Sequence, residues 1–241
     1  MNTKKSNIND KLMKNTCPSP FVKICCIASP QEAELAMQAG ADAIGMVSHM
    51  PSGPGVISDA LVADIAAHAA KLAAQTGHRS FKTFLLTSRQ TAEAIAAQHA
   101  VCNTTTLQLV DDVALKELQL LRQLLPKIEL VQVIHVLDER SEQQALAVAP
   151  WVDMLLLDSG NPTLAVKELG GTGRTHNWQL SQRIVAASPV PVLLAGGLNA
   201  DNARLGLAQV APYGLDICSG VRSQGALDSQ KLAAFMRAVN G

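Results

Sequence analysis

Leu194-Ala195-Gly196-Gly197-Leu198-Asn199 is the stretch whose reading decides the fold. It closes the apolar run 190–196 and leads into an Ala- and Leu-rich segment over 200–210, so it reads as a strand end, a tight turn and a helix start. Glycines at such a turn let backbone N–H groups approach an oxyanion closely, and the helix N-terminus that follows adds a favourable dipole. Two comparable segments flank it: Gly170-Gly171-Thr172-Gly173 comes after the run 154–159, and Cys218-Ser219-Gly220-Val221 ends the run 214–219. An open dinucleotide-binding sheet would carry its glycine-rich turn after the first strand. No G-x-G-x-x-G follows Phe21-Val22-Lys23-Ile24-Cys25-Cys26. Glycines gathered behind the late strands point instead to a closed barrel, in which the loops after strands seven and eight hold a phosphate.

Outward from that stretch, short aliphatic runs alternate with longer amphipathic ones from Phe21 onward, the rhythm of repeated βα units. The expected strands are 21–26, 43–47, 81–87, 105–110, 129–136, 154–159, 190–196 and 214–219. Expected helices lie near 30–39, 58–75, 89–100, 112–124, 139–149, 177–187, 200–210 and 228–239. Ser29 before Pro30, Ser58 and Asn199 are plausible helix caps. Near-continuously apolar strands separated by single helices form parallel sheets covered by those helices. The chain is therefore read as α/β, a single (β/α)₈ TIM barrel over 21–241, preceded by a flexible N-terminal tail over 1–20. A length of 241 residues fits one such barrel.

Composition narrows the function. Twenty basic and twenty acidic residues cancel, which leaves no phosphate-neutralising surface of the kind a nucleic acid requires, so no nucleic-acid partner is expected. The first twenty residues lack the apolar core of a secretory signal, and no apolar run reaches the roughly 18 residues that span a bilayer. The expectation is a cytoplasmic protein with no membrane association. Five cysteines at irregular spacing suit neither a disulfide framework nor a zinc site. The six histidines share no metal-ligand spacing; His68 and His99 are expected on solvent-facing helix surfaces, and His135 at a strand end. No metal and no cofactor are expected. Monomer and homodimer both remain open.

Polar side chains at strand ends are the candidates for chemistry, because barrel active sites lie at that mouth. Asp158 ends Met154-Leu155-Leu156-Leu157, although Asp158-Ser159-Gly160 also makes a good turn. Period-2 alternation puts Lys23 and Cys25 on one face of the first strand and turns Cys26 to the other. A buried cysteine is also a small hydrophobe. Asp216 is a second carboxylate within a late strand. A Schiff-base aldolase would need a lysine at a strand end, and Lys23 and Lys82, the two in expected strands, do not end them.

The segments Val22-Lys23-Ile24-Cys25, Ala39-Gly40-Ala41-Asp42-Ala43-Ile44-Gly45, Leu156-Leu157-Asp158-Ser159, Gly170 to Thr175 with Asn177-Trp178, Leu194 to Asn199 and Asp216 to Val221 resemble, in this order, the phosphoribosylanthranilate isomerase family of tryptophan biosynthesis. The resemblance implies a (β/α)₈ barrel and an Amadori rearrangement of an N-(5-phosphoribosyl) amine. By that resemblance Asp158 is the general acid that protonates the ribose ring oxygen, and Cys25 is the general base that removes the C2 proton. Gly173, Gly196, Gly197, Ser219 and Gly220 match the loops that hold the substrate phosphate, and Lys23 and Asp216 match further substrate-binding positions.

Several positions depart from the family pattern. Cys26-Ile27-Ala28 stands where Gly-Ile-Thr is usual, and Ser52-Gly53-Pro54-Gly55-Val56 lacks the arginine that pairs the anthranilate carboxylate. Val110-Asp111-Asp112 replaces His-Gly-Asp/Glu, and Arg222 replaces a common Glu. The changes fall on the aromatic-carboxylate side and spare the phosphate side. They leave room for a changed substrate, or for a phosphosugar-binding protein without turnover.

Overall fold

The computed structural model describes residues 19–78 and 80–241, so positions 1–18 of the expected tail lie outside the described residues. Eight parallel strands close on themselves in chain order. They are β1 (Phe21–Ile24), β2 (Ala43–Val47), β3 (Lys82–Thr87), β4 (Thr106–Leu109), β5 (Glu129–His135), β6 (Met154–Asp158), β7 (Val192–Leu194) and β8 (Gly214–Ile217). One helix follows each: α1 (Pro30–Gln38), α2 (Asp59–Thr76), α3 (Ala92–Cys102), α4 (Leu115–Leu124), α5 (Arg140–Val148), α6 (Trp178–Ala187), α7 (Ala203–Val210) and α8 (Ser229–Asn240). A two-stranded antiparallel hairpin, β9 (Arg222–Ser223) and β10 (Ala226–Leu227), precedes α8 and has no counterpart in the expected pattern. No helix among the described residues is long and apolar enough to cross a membrane.

Alternation sorts each strand into two packed layers. On β6, Leu155 and Leu157 face the helices, while Met154 and Leu156 join the lumen cluster with Phe84, Val131, Val133 and Leu193. On β1, Val22 and Ile24 likewise belong to the outer layer, which sends Lys23 and Cys25 inward. Ala33, Ala36, Ala66, Ala69 and Ala203 let the helices sit close against the sheet. Each fully buried Leu or Ile in these layers contributes about 1.5–3 kcal/mol of hydrophobic stabilisation. Ser29 caps α1 by accepting from the Glu32 N–H at 3.2 Å, and Ser58 caps α2 by accepting from Leu61 at 3.2 Å. Asn199 accepts from Asp201 and Asn202 and so shapes the turn before α7, which begins later than the expected 200.

The barrel closes where β8 pairs with β1, and this seam places the site. Register sets Lys23 beside Asp216, and the Cys25 N–H donates to the Ile217 carbonyl at 2.8 Å. Gly214 is the tightest point of the seam: a Cβ built there would lie 2.1 Å from the Phe21 carbonyl oxygen. Overpacking of this kind costs roughly 1–3 kcal/mol. Gly214→Ala is therefore expected to lower the urea midpoint by that amount of stability with an unchanged m-value, as measured by equilibrium unfolding.

Candidate active site

The strand C-termini open into a cavity lined from the segment after β1 by Cys25 and Cys26, from the loop after β2 by Met50, Ser52 and Pro54, and from β4 by Gln108. Val47, Gly53, Leu86, Asp158, Leu169–Gly173, Ala195–Leu198 and Asp216–Ser219 complete it. Both catalytic candidates, Cys25 and Asp158, thus face one space. Asp158 is buried, and its Oδ1 accepts from the Ser159 N–H at 2.7 Å, so the turn role and the position at the mouth coexist. Gly170, at φ 140°, lets its loop pass over this carboxylate; a Cβ there would sit 2.9 Å from Oδ2.

Beneath the cavity floor Lys23 is fully buried, with Nζ 2.8 Å from Asp216 Oδ1 and 5.2 Å from the centre of the Phe84 ring. Gly45 on β2 makes the space, since a Cβ there would lie 2.9 Å from Nζ. Burial alone depresses the Lys23 ammonium, yet Asp216 and Cys25 outweigh it and keep the group charged. Burial raises Asp216 above the ordinary carboxylate range against the pull of Lys23. The Cys25 thiol lies below an ordinary thiol, because the Cys26 side chain hydrogen-bonds to it and the Lys23 charge adds to that effect, against burial and Asp216. Lys23 therefore acts on the cavity from below; it does not line it.

The three glycine-rich loops converge. A Cβ on Gly173 would lie 3.8 Å from Ser219 Oγ, one on Gly196 3.0 Å from Ser159 Oγ, and one on Gly197 2.6 Å from the Arg174 carbonyl carbon. Gly173, Gly196 and Gly197 have φ of 67°, 82° and 62°, and with Ser219 they line the cavity. Gly220 does not line it. A Cβ there would meet the Leu198 carbonyl oxygen at 2.1 Å, so Gly220 allows the β8 loop to pack on the β7 loop.

The model of the N-(5'-phosphoribosyl)anthranilate isomerase family matches residues 22–238. The chain belongs to this family. It is 35% identical over 215 residues to the N-(5'-phosphoribosyl)anthranilate isomerase of Synechococcus elongatus, covering 89% of this chain and 93% of the relative. The Methanosarcina acetivorans protein of the same name is 30% identical, with 90% and 92% covered. Among solved structures, the phosphoribosylanthranilate isomerase of Thermotoga maritima superposes with a TM-score of 0.74 at 24% identity, covering 91% of this chain and 98% of that one. A complex of such an isomerase with reduced 1-(o-carboxyphenylamino)-1-deoxyribulose 5-phosphate superposes at 0.72 and 23% identity, covering the same shares.

Two sequence expectations need correction. Cys26 does not turn away: the strand ends at Ile24, Cys26 takes φ 62°, and the break in alternation brings its side chain into the cavity. Its sulfur lies 2.7 Å from that of Cys218. A non-glycine residue in this left-handed region costs about 1–2 kcal/mol. His99, expected in solvent, is buried and bonds through Nε2 to the Thr104 carbonyl at 2.8 Å. His135 is a strand-end hydrogen bonder, with Nε2 2.9 Å from the Val110 carbonyl. The sequence reading also passed over Gln108, a buried cavity residue whose Oε1 has no protein partner. Its only signal was a carboxamide inside the apolar run 105–110.

His176 carries a testable pH dependence. Its Nε2 bonds to Ser181 Oγ at 2.7 Å while Nδ1 is buried against Gly196, and burial lowers its pKa to about 4 despite nearby Asp158. Below about pH 6.5 the unfolded chain binds a proton at this position that the folded protein refuses. Stability present above pH 6.5 is thus lost as pH falls towards 4, by up to about 3 kcal/mol. Urea unfolding of His176→Asn over pH 4.5–7.5 is expected to give a flatter profile than the intact protein.

Proposed function

We propose that the protein converts N-(5-phosphoribosyl)anthranilate into 1-(2-carboxyphenylamino)-1-deoxyribulose 5-phosphate, the Amadori step of tryptophan biosynthesis. The single observation that carries the chemistry is Cys25 and Asp158 facing one cavity beside three converging glycine-rich loops. As an aldose–ketose isomerisation it is an intramolecular oxidoreduction, in which C1 is reduced and C2 oxidised with no external electron carrier. Asp158 gives its proton to the ribose ring oxygen; the C1–O bond breaks and the nitrogen lone pair forms an iminium. Cys25 thiolate then takes the C2 proton, the C2–H electrons form the C1–C2 double bond as the C1–N π pair returns to nitrogen, and the resulting enolamine tautomerises to the aminoketone. A thiol held below its ordinary pKa ionises more readily, in the direction that a general base requires.

Gly173, Gly196, Gly197 and Ser219 would hold the phosphate through backbone N–H groups, with the Ser219 hydroxyl available as a further donor. Positive φ at the three glycines is the kind of backbone conformation that forms anion-binding concavities of amides. Gly220 supports the last loop, and Asp216, which pairs with Lys23 and lines the cavity, would face the bridging amine. The same reading carries a cytoplasmic location and a monomer or homodimer.

One observation favours a second reading, a related N-(5-phosphoribosyl) amine with an uncharged aglycone. Among the described residues, the charged side chains lining the cavity are Asp158 and Asp216, with no lysine or arginine to pair a carboxylate. Freshly made phosphoribosylanthranilate, followed by loss of its fluorescence, tests the first reading. Cys25→Ser and Asp158→Asn are each expected to lower kcat by roughly 10²–10⁴-fold. Turnover by the intact protein no faster than by these variants overturns the assignment for this substrate, and the phosphoribosyl derivative of aniline then tests the second.

A further inference from the structure

The segment after β1 is tied down on both sides of one strained residue. Cys25 N–H donates to the Ile217 carbonyl at 2.8 Å and Ile27 N–H to the Gly45 carbonyl at 2.9 Å. Between them Cys26 sits at φ 62°, a conformation that glycine enters freely and cysteine does not. Its side chain is accommodated by Gly55, where a Cβ would come within 2.8 Å of the Cys26 Cβ.

A single guanidinium secures the carbonyls of this segment. Arg222, at the start of β9, donates through Nη2 to the carbonyl of Cys26 in a short bond and to that of Cys25 at 3.3 Å. The same group makes a two-point pair with Glu32 of α1, at 3.1 and 3.0 Å, and donates to Gly225 at 2.8 Å. Glu32 is fixed in turn by the N–H groups of Ala28, at 3.0 Å, and Leu227, at 2.8 Å. Both side chains are largely buried. A planar fork of donors can serve a carboxylate and two carbonyls at once, which a lysine ammonium on one flexible stem cannot.

We propose that Arg222 is a positioning residue for the general base: by fixing the carbonyls of Cys25 and Cys26 it holds Cys26 in its strained conformation and aims the Cys25 thiol into the cavity. The proposal rests on the reading of Cys25 as base. It predicts that the need for Arg222 disappears when position 26 is glycine, because the conformation then costs nothing to hold.

The test is a cycle of Arg222→Met in the intact chain and in Cys26→Gly, with Arg222→Lys as the conservative variant. Two readouts are taken: kcat and KM on phosphoribosylanthranilate, and amide hydrogen exchange of the 22–29 segment. Arg222→Met is expected to lower kcat by at least roughly tenfold with KM within about threefold, since displacement of a reacting group costs up to about 100-fold. Exchange in 22–29 rises in parallel, and Arg222→Lys falls between. In the Cys26→Gly background both effects of Arg222→Met are expected to shrink to within about threefold. Equal losses in the two backgrounds, or an unchanged 22–29 segment in Arg222→Met, overturn the clamp. Should Arg222→Met not fold, Arg222→Lys is carried through the same cycle. If the intact protein shows no turnover while the exchange coupling holds, the substrate reading fails and the clamp stands.

Discussion

The ion pair between Lys23 and Asp216 spans the seam where β8 meets β1, and the rest of the site is arranged above it. A buried ammonium and carboxylate repay their desolvation only when they meet in good geometry. The pair therefore fixes the register of the two strands whose ends carry Cys25 and Ser219. Room for it comes from a missing side chain at Gly45 and from the face of the Phe84 ring. One interaction thus closes the barrel, places Cys25 next to a buried cation and sets a carboxylate at the cavity floor.

Above this floor, the mouth is built by close backbone approach more than by side chains. Gly197 and Gly220 each sit where a Cβ would collide with a neighbouring loop, and one on Gly196 would press on Ser159 and His176; those loops are the ones that carry the phosphate reading. Ser159 Oγ and Thr172 Oγ1, 2.6 Å apart, tie the strand carrying Asp158 to the Gly170–Gly173 loop. Asp158 and the Gly170–Gly173 loop are consequently parts of one hydrogen-bonded unit, and a shift of either moves the other.

Much of this was legible in the sequence because period-2 alternation is a property of the backbone. It placed Lys23 and Cys25 on one face of the first strand, which the packing shows to be the lumen side, and the glycine-rich segments after the late runs marked the loops that converge. It failed where the chain stops being a strand. Cys26 lies two residues past the end of β1 in a left-handed conformation, and alternation has no meaning there. Strand ends were read too long at 190–196 and 214–219 for a related reason, since glycine turns and apolar strand residues adjoin without a polar break. The role of Gly220 was hidden because a glycine needed for packing and one needed for anion binding look alike in sequence. His99 was misplaced because α3 is apolar on most of its surface, so its buried face could not be told from its exposed one.

The departures from the family pattern divide into two kinds with different physical consequences. Replacing an arginine in the loop after β2 by Ser52-Gly53-Pro54-Gly55 removes a partner for a carboxylate, and it also opens the space into which Cys26 points. The cysteine and the glycine-rich loop therefore fit each other sterically: a bulkier residue at 55 would collide with the Cys26 Cβ. Arg222, in contrast, adds positive charge outside the cavity, where Glu32 neutralises it and the backbone carbonyls of Cys25 and Cys26 accept from it. The charge therefore lies behind Cys25, and one side of the cavity stays apolar, with Val47, Met50, Leu86 and Leu169 as its walls. An aromatic ring suits these walls, and the affinity contributed by its substituents then depends on what Gln108 and the loop backbone can offer them.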